Sequence, residues 1–241
     1  MKRLLVDGHV HVHPAYDERT FLEAAHANLS RHGDGLPTLL LAEMAGADAF
    51  ARWRSGDASW SVEPTEEPSS LVLGDRLLVI AGRQIVTREG VEVLAQATAE
   101  HFADGLALEE TLQRVLEAGA IAVLPWGVGK WLGTRGRLVA AAAARHPVFL
   151  GDNAARPLGW PAPRLFGRHV VLAGSDPLRM AGEQRTVGTY GFSLAGAFDL
   201  RRPAERIRAA LERLRRSPDR LGRRVGIVRF ARQQLGLRWA R

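Results

Sequence analysis

A chain of 241 residues with 46% hydrophobic and 24% charged content has the composition of an ordinary globular domain, long enough for one sizeable core. It has no cysteine, which excludes disulfides and thiolate metal sites and leaves His, Asp, Glu, Asn or water to hold any metal. The net charge of +7 gathers at the C-terminal end, where residues 201–241 hold fourteen arginines against Glu205, Glu212 and Asp219; this basic segment reads as a solvated helical face, and nucleic acid is not an expected partner.

No apolar run approaches membrane-spanning length, and only three apolar residues separate Met1-Lys2-Arg3 from Asp7, unlike a secretory leader. A cytoplasmic protein with no membrane association is therefore expected. Three of the eight histidines fall within Val6-Asp7-Gly8-His9-Val10-His11-Val12-His13. Alternation on an extended chain places His9, His11 and His13 on one face. Imidazoles two residues apart at a strand end can reach one ion, and neutral imidazole is a common ligand for transition metals. The apolar Leu4-Leu5-Val6 upstream favours a buried metal or acid/base site over a solvated edge strand.

Further along, Thr20-Phe21-Leu22-Glu23 reads as a capping box opening a helix that Gly33 stops. Thr38 to Ala42 is a buried strand ending at Glu43, and Gly46 to Arg54 a weaker helix. Residues 55–70 read as a loop. Leu77 to Val86 and Val91 to Ala97 form a hairpin around Glu89-Gly90. Then come a helix over Leu108–Glu117, a strand over Ala120–Leu124, a helix over Gly136–Arg145, and strands over Pro147–Gly151 and His169–Ala173. Pro203 opens a helix running to Arg215, and the last twenty residues read as helical and basic.

Strands alternating with helices predict an α/β fold in one domain spanning 1–241: a TIM-like, distorted (β/α)7 barrel with mainly parallel strands and a basic helical segment at 201–241. Polar residues follow the apolar strands at His9/His11/His13, Glu43, Arg83/Gln84, Trp126/Lys130, Asp152/Asn153 and Ser175/Asp176, where such a fold keeps its chemistry. Lys130 is one of two lysines among 33 basic residues. It reads either as a surface residue or as a group that binds phosphate or carboxylate. Asp152 and Asn153 suit either a ligand site or an Asx-turn, and Asp176 either a ligand or a turn.

Asp7-Gly8-His9-Val10-His11 resembles the D-x-H-x-H first-strand motif of metal-dependent hydrolases, shared by the amidohydrolase superfamily and the PHP-type (polymerase and histidinol phosphatase) phosphoesterases. Later segments resemble the PHP type: Ala81-Gly82-Arg83-Gln84-Ile85, Phe149-Leu150-Gly151-Asp152-Asn153 and Gly174-Ser175-Asp176. This chain departs from that pattern at several points. Gln84 stands where the family has a bridging Glu, Ala42-Glu43-Met44 replaces T-D-H, Leu124-Pro125-Trp126 lacks the histidine of H-P, and Leu178 replaces the last His.

The resemblance implies a metal-dependent hydrolase, most simply a phosphoesterase that acts on a small anionic substrate through a metal-activated water. One or two divalent ions (Zn, Mn or Fe) would be held by His9, His11 and Asp176, with Glu43 or Asp152 assisting. Asp176 or His13 would manage the proton, while Lys130, Arg83, Gln84, Trp126, Asn153 and Arg185 would contact substrate. The alternative is a non-catalytic descendant whose degenerate metal site binds an anionic ligand or a protein partner.

Overall fold

Runs such as Leu4-Leu5-Val6 and Leu39-Leu40-Leu41 are apolar on both faces, which suits strands covered on each side. The protein was analysed as a computed structural model, which describes residues 3–227 and 229–231. Its strands are β1 (Arg3–Val10), β2 (Leu36–Leu41), β3 (Val62–Pro64), β4 (Ser70–Leu73), β5 (Leu77–Ile80), β6 (Gly82–Val86), β7 (Glu92–Gln96), β8 (Ile121–Pro125), β9 (Phe149–Asn153), β10 (Val171–Gly174), β11 (Tyr190–Ala195) and β12 (Arg220–Gly222). Its α-helices include α1 (Glu18–Ser30), α2 (Ala49–Arg54), α3 (Leu108–Glu117), α4 (Gly133–Arg145) and α5 (Pro203–Glu212).

The strands form two mixed sheets, ordered β12-β11-β1-β2-β5-β4-β3 and β10-β9-β8-β7-β6. This corrects the expected barrel: the sheets are separate and do not close, and only four of the ten strand pairings are parallel. The physical reason lies in residues 62–96, which supply five strands with no helix between them. Without helical crossovers such strands meet as antiparallel neighbours, β3–β4–β5 and β6–β7. The expected loop at 55–70 contains β3 and the first residue of β4. The expected strand Leu77–Val86 is two strands in different sheets, split at Ala81. At that crossing a Cβ on Gly82 would run into the Leu41 carbonyl, so only glycine lets the second sheet approach β2.

Alternate residues divide the core. Leu4, Val6, Leu40 and Ile80 from one sheet and Leu94, Val123 and Leu172 from the other share an interior with Ile207 and Leu211 of α5. Leu5, Leu39 and Val79 face outward against α1 and α2, while Val93, Ala122 and Leu150 face α3 and α4. Burying each such large aliphatic side chain contributes about 1.5–3 kcal/mol before the entropy of ordering is counted. Helix α1 is capped by Asp17, whose Oδ2 accepts the Thr20 N–H at 2.8 Å, in place of the expected Thr20 cap. The basic segment holds α5 and then β12, with residues 228 and 232–241 of the expected helix outside the described region.

Candidate metal centre

Two chain segments supply the cluster. His9 lies near the end of β1, and His11 follows it. Between Asp7 and Val10 the β1 register slips against β2, with Asp7 opposite Leu39 but Val10 opposite Leu41. This bulge re-aims the side chains, so simple alternation does not describe them. The result is that His9 Nε2 and His11 Nε2 stand 3.0 Å apart. Asp176, in the turn after β10, brings Oδ1 to 3.7 Å from His9 Nε2 and 3.4 Å from His11 Nε2. Among the described residues these three form the one cluster of His and carboxylate ligand atoms close enough to share an ion.

The Gly174-Ser175-Asp176 turn is held from several sides. A Cβ on Gly174 would collide with the His9 backbone, so glycine is required where β10 meets β1. Asp176 sits at φ +49°, a left-handed conformation that Asp tolerates better than most residues, and its N–H donates to the His9 carbonyl at 2.9 Å. Asn153 at the end of β9 donates to Asp176 Oδ2 and to the Trp126 carbonyl, each at 2.8 Å. Asp7, fully buried, accepts from Ser175 Oγ at 2.5 Å, Ser175 N at 2.8 Å and Gly188 N at 2.7 Å. Asp7 is therefore the brace that ties β1 to the Asp176 turn. Burial pushes its carboxyl up to about 6 against the pull of those hydrogen bonds.

The electrostatics of His9 and Asp176 favour the forms that can bind a metal. Burial presses the His9 imidazole down to about 4, so it is neutral at pH 7. Burial opposes ionisation of Asp176, but His9, the hydrogen bond and charge of His11, and Lys130 outweigh it and hold the carboxyl well below its ordinary range. Two imidazoles and one carboxylate are a donor set suited to Zn or a similar divalent ion. Their separations are those of ligands around an ion about 2.0–2.2 Å from each. Among the described residues His11 Nδ1 is buried without a hydrogen-bond partner.

The other predicted residues are placed as follows. His13 is buried with Nε2 3.2 Å from the Pro177 carbonyl, outside the three-ligand cluster. It lines a cavity of about 220 Å³ together with His11, Glu43 and Arg179. Burial and the neighbouring His11 lower its pKa. The Glu43 carboxylate accepts the Phe50 N–H at 3.1 Å and lies 3.6 Å from Arg83, and burial raises its pKa. It belongs to the cavity wall and not to the cluster. Arg83 donates to the Ala47 carbonyl at 2.8 Å and pairs with Asp48 at 3.4 Å, which fixes it to the 43–48 loop.

Asp152 does not join the cluster. Arg156 grips both its oxygens at 2.7 Å, and Tyr190 donates to Oδ2 at 2.9 Å. This buried ion pair occupies the carboxylate that the sequence offers as a ligand. Arg185 is exposed in a turn against α1, where its carbonyl accepts from Asn28 at 3.1 Å. Trp126 is buried beside Asn153 through its carbonyl.

Lys130 extends the site. Its ammonium pairs with Glu92 of β7, whose Oε1 also accepts from Gln84 Nε2 at 3.4 Å. The charges of Glu92 and Lys130 act on His9, and that of Lys130 on Asp176. Two residues of this surround are not among the site residues that the sequence suggests: Glu92 and Arg179. Glu92 stands opposite Val86 in the antiparallel β6–β7 pair, a register that composition and periodicity leave open. The signal that points to it is its charge beside the uncharged Gln84 two positions along the partner strand.

No family model matches this sequence, and no curated protein does. Solved structures do share its fold. PsfC from Pseudomonas syringae PB-5123 superposes with a TM-score of 0.60 at 17% identity, covering 98% of this chain and 100% of that one. Endonuclease Q, solved with a 27-mer duplex carrying an abasic lesion at its active site, gives 0.54 at 14% identity, covering 87% of this chain. This chain spans 56% of the length of Endonuclease Q. At these identities the likeness is one of fold. Among the described residues no helix is long and apolar enough to cross a membrane.

Proposed function

We propose that this protein is a metal-dependent phosphoesterase of PHP-like descent that hydrolyses a small anionic substrate. The observation that carries the reading is the convergence of His9 Nε2, His11 Nε2 and Asp176 Oδ1, on which the charge of Lys130 acts. His9, His11 and Asp176 would hold one divalent ion, of Zn, Mn or Fe type. When bound, the ion supplies a Lewis acid that makes water nucleophilic near neutral pH.

The chain's own residues perform the remaining work. Asn153 fixes Asp176 by one oxygen and leaves the other facing the histidines. Lys130, its ammonium paired with Glu92, would offer a positive charge to the phosphate oxygens. A carbonyl can only accept, so His13 donates Nε2–H to Pro177, which makes Nδ1 the ring's basic nitrogen. His13 Nδ1 is thus equipped to accept the proton that water releases as its oxygen bonds to phosphorus. The bond from phosphorus to the leaving oxygen breaks in the same displacement, and that oxygen takes up a proton from solvent. Arg179, on the wall of the cavity shared with His11 and His13, adds positive charge for the anion.

A second reading is favoured by specific contacts. Glu43 and Asp152 are engaged elsewhere, and among the described residues His11 Nδ1 has no acceptor of the kind that usually orients a ligating imidazole. In that reading the pocket binds an anionic ligand without turnover. The test is hydrolysis of generic aryl and alkyl phosphomonoesters by protein supplied in turn with Zn, Mn and Fe. The catalytic reading predicts turnover that drops at least about 100-fold in Asp176→Asn. A wild type silent with all three metals would leave only the binding reading.

A further inference from the structure

A second cavity, of about 560 Å³, lies beside Lys130. Trp126, Trp131 and Leu132, from the segment after β8, form one wall, and Trp160, Pro161 and Leu165, from the segment after β9, form the other. Leu132 is 72% exposed and Trp160 48% exposed, so two large apolar side chains from different loops meet water across one concave space. The Trp131 indole N–H is already given to the Pro125 carbonyl at 3.1 Å, and its ring is set edge-on to Phe166 with centroids 5.9 Å apart. What Trp131 offers the groove is therefore aromatic carbon surface in a fixed orientation.

The groove borders the segment after β8 that carries Lys130 and meets Asn153. Trp126 lines it, and its carbonyl accepts from Asn153, which also donates to Asp176. Gly127 lines it and closes the turn that carries Lys130, whose N–H donates to the Gly127 carbonyl at 3.0 Å. Its charged lining residues are Arg137 and Arg164, and no lining residue is acidic, so its electrostatics suit an anion. The volume falls in the range of small-molecule pockets, roughly 300–1,000 Å³, and the concave shape suits a small ligand better than a protein face.

We infer that this groove receives an aromatic leaving group, so that the substrate class is an aryl phosphomonoester with its phosphoryl group at His9, His11, Asp176 and Lys130. The inference rests on the phosphoesterase reading and deepens it. The chemistry is consistent with the site: a phenol ionises near pH 10, so its oxygen departs with less protonation than an alkoxide needs.

The experiment is calorimetric titration of Zn- or Mn-supplied protein with phenylphosphonate and with methylphosphonate, neither of which can be hydrolysed at an ester bond. The expected result is at least about tenfold tighter binding of phenylphosphonate. In the double variant Leu132→Ser/Trp160→Ser that advantage should shrink to about twofold or less, with methylphosphonate affinity unchanged. Equal binding of the two by wild type, or an advantage that survives the double variant, would overturn the aryl assignment and leave the phosphoesterase reading standing. Binding of neither phosphonate would sink both.

Discussion

Asn153 and Asp176 are joined by a 2.8 Å hydrogen bond to Oδ2, the carboxylate oxygen other than the one that faces His9 and His11. Because Asp176 sits in a left-handed turn, this bond and the Asp176 N–H to His9 carbonyl bond are what fix its carboxylate. Asn153→Ala is expected to weaken metal binding roughly 10- to 100-fold, the usual effect of removing a group that orients a ligand. Competition with a chromophoric chelator reads this directly. Affinity within twofold of wild type would mean that the backbone alone holds Asp176.

His9 gives a pH prediction for the metal-free protein. Its folded pKa, about 4, lies below the ordinary imidazole value of 6.5. Between those values the unfolded chain binds a proton that the folded chain does not, so this group favours folding more as pH rises from about 4 to 6.5. The wild type should therefore gain about 3 kcal/mol relative to His9→Gln across that window. Urea unfolding of both proteins at pH 4, 5, 6 and 7 measures it, and a constant difference would contradict a buried neutral His9.

Part of this was readable in the sequence and part was not. His9 and His11 stood out because an i, i+2 pair after an apolar run has few other uses, and Asp176 because Gly-Ser-Asp ends a buried strand. Helices α3 and α4 and strands β8 to β10 followed from periodicity, since each is bounded by glycine or proline. The expected barrel does not form: apolar runs do not state the direction in which they pair, and β3 to β7 run without intervening helices. Strand β11 escaped notice although it pairs antiparallel with β1. Asp152 looked available because a strand-end aspartate gives no sign that Arg156, four residues on in a loop, will bind both its oxygens.

That ion pair supplies a third prediction. Arg156 and Asp152 are both buried, so removing one partner strands the other charge. Arg156→Met should destabilise the fold by roughly 3–5 kcal/mol. Asp152→Asn should also destabilise while leaving metal stoichiometry unchanged, because Asp152 faces Arg156 and Tyr190. Denaturant midpoints together with metal content after dialysis separate the two effects. Loss of metal in a folded Asp152→Asn protein would restore Asp152 as a ligand.

Lys130 and Glu92 separate anion binding from metal binding. Lys130→Met should weaken binding of inorganic phosphate roughly 10- to 100-fold, the range expected for a hydrogen bond to a charged group. Metal affinity should remain within about twofold. Isothermal titration of each ligand in turn tests both halves, and unchanged phosphate affinity would return Lys130 to a surface role.

The measurement closest to the central claim is the metal content of the purified protein, by elemental analysis after dialysis against trace Zn, Mn and Fe, beside the His9→Ala/His11→Ala double variant. The account predicts about one equivalent of a divalent transition metal in the wild type and none in the variant, with both proteins folded by circular dichroism. A wild type that stays empty, or a variant that keeps its metal, would contradict the assignment of His9, His11 and Asp176 as a metal centre.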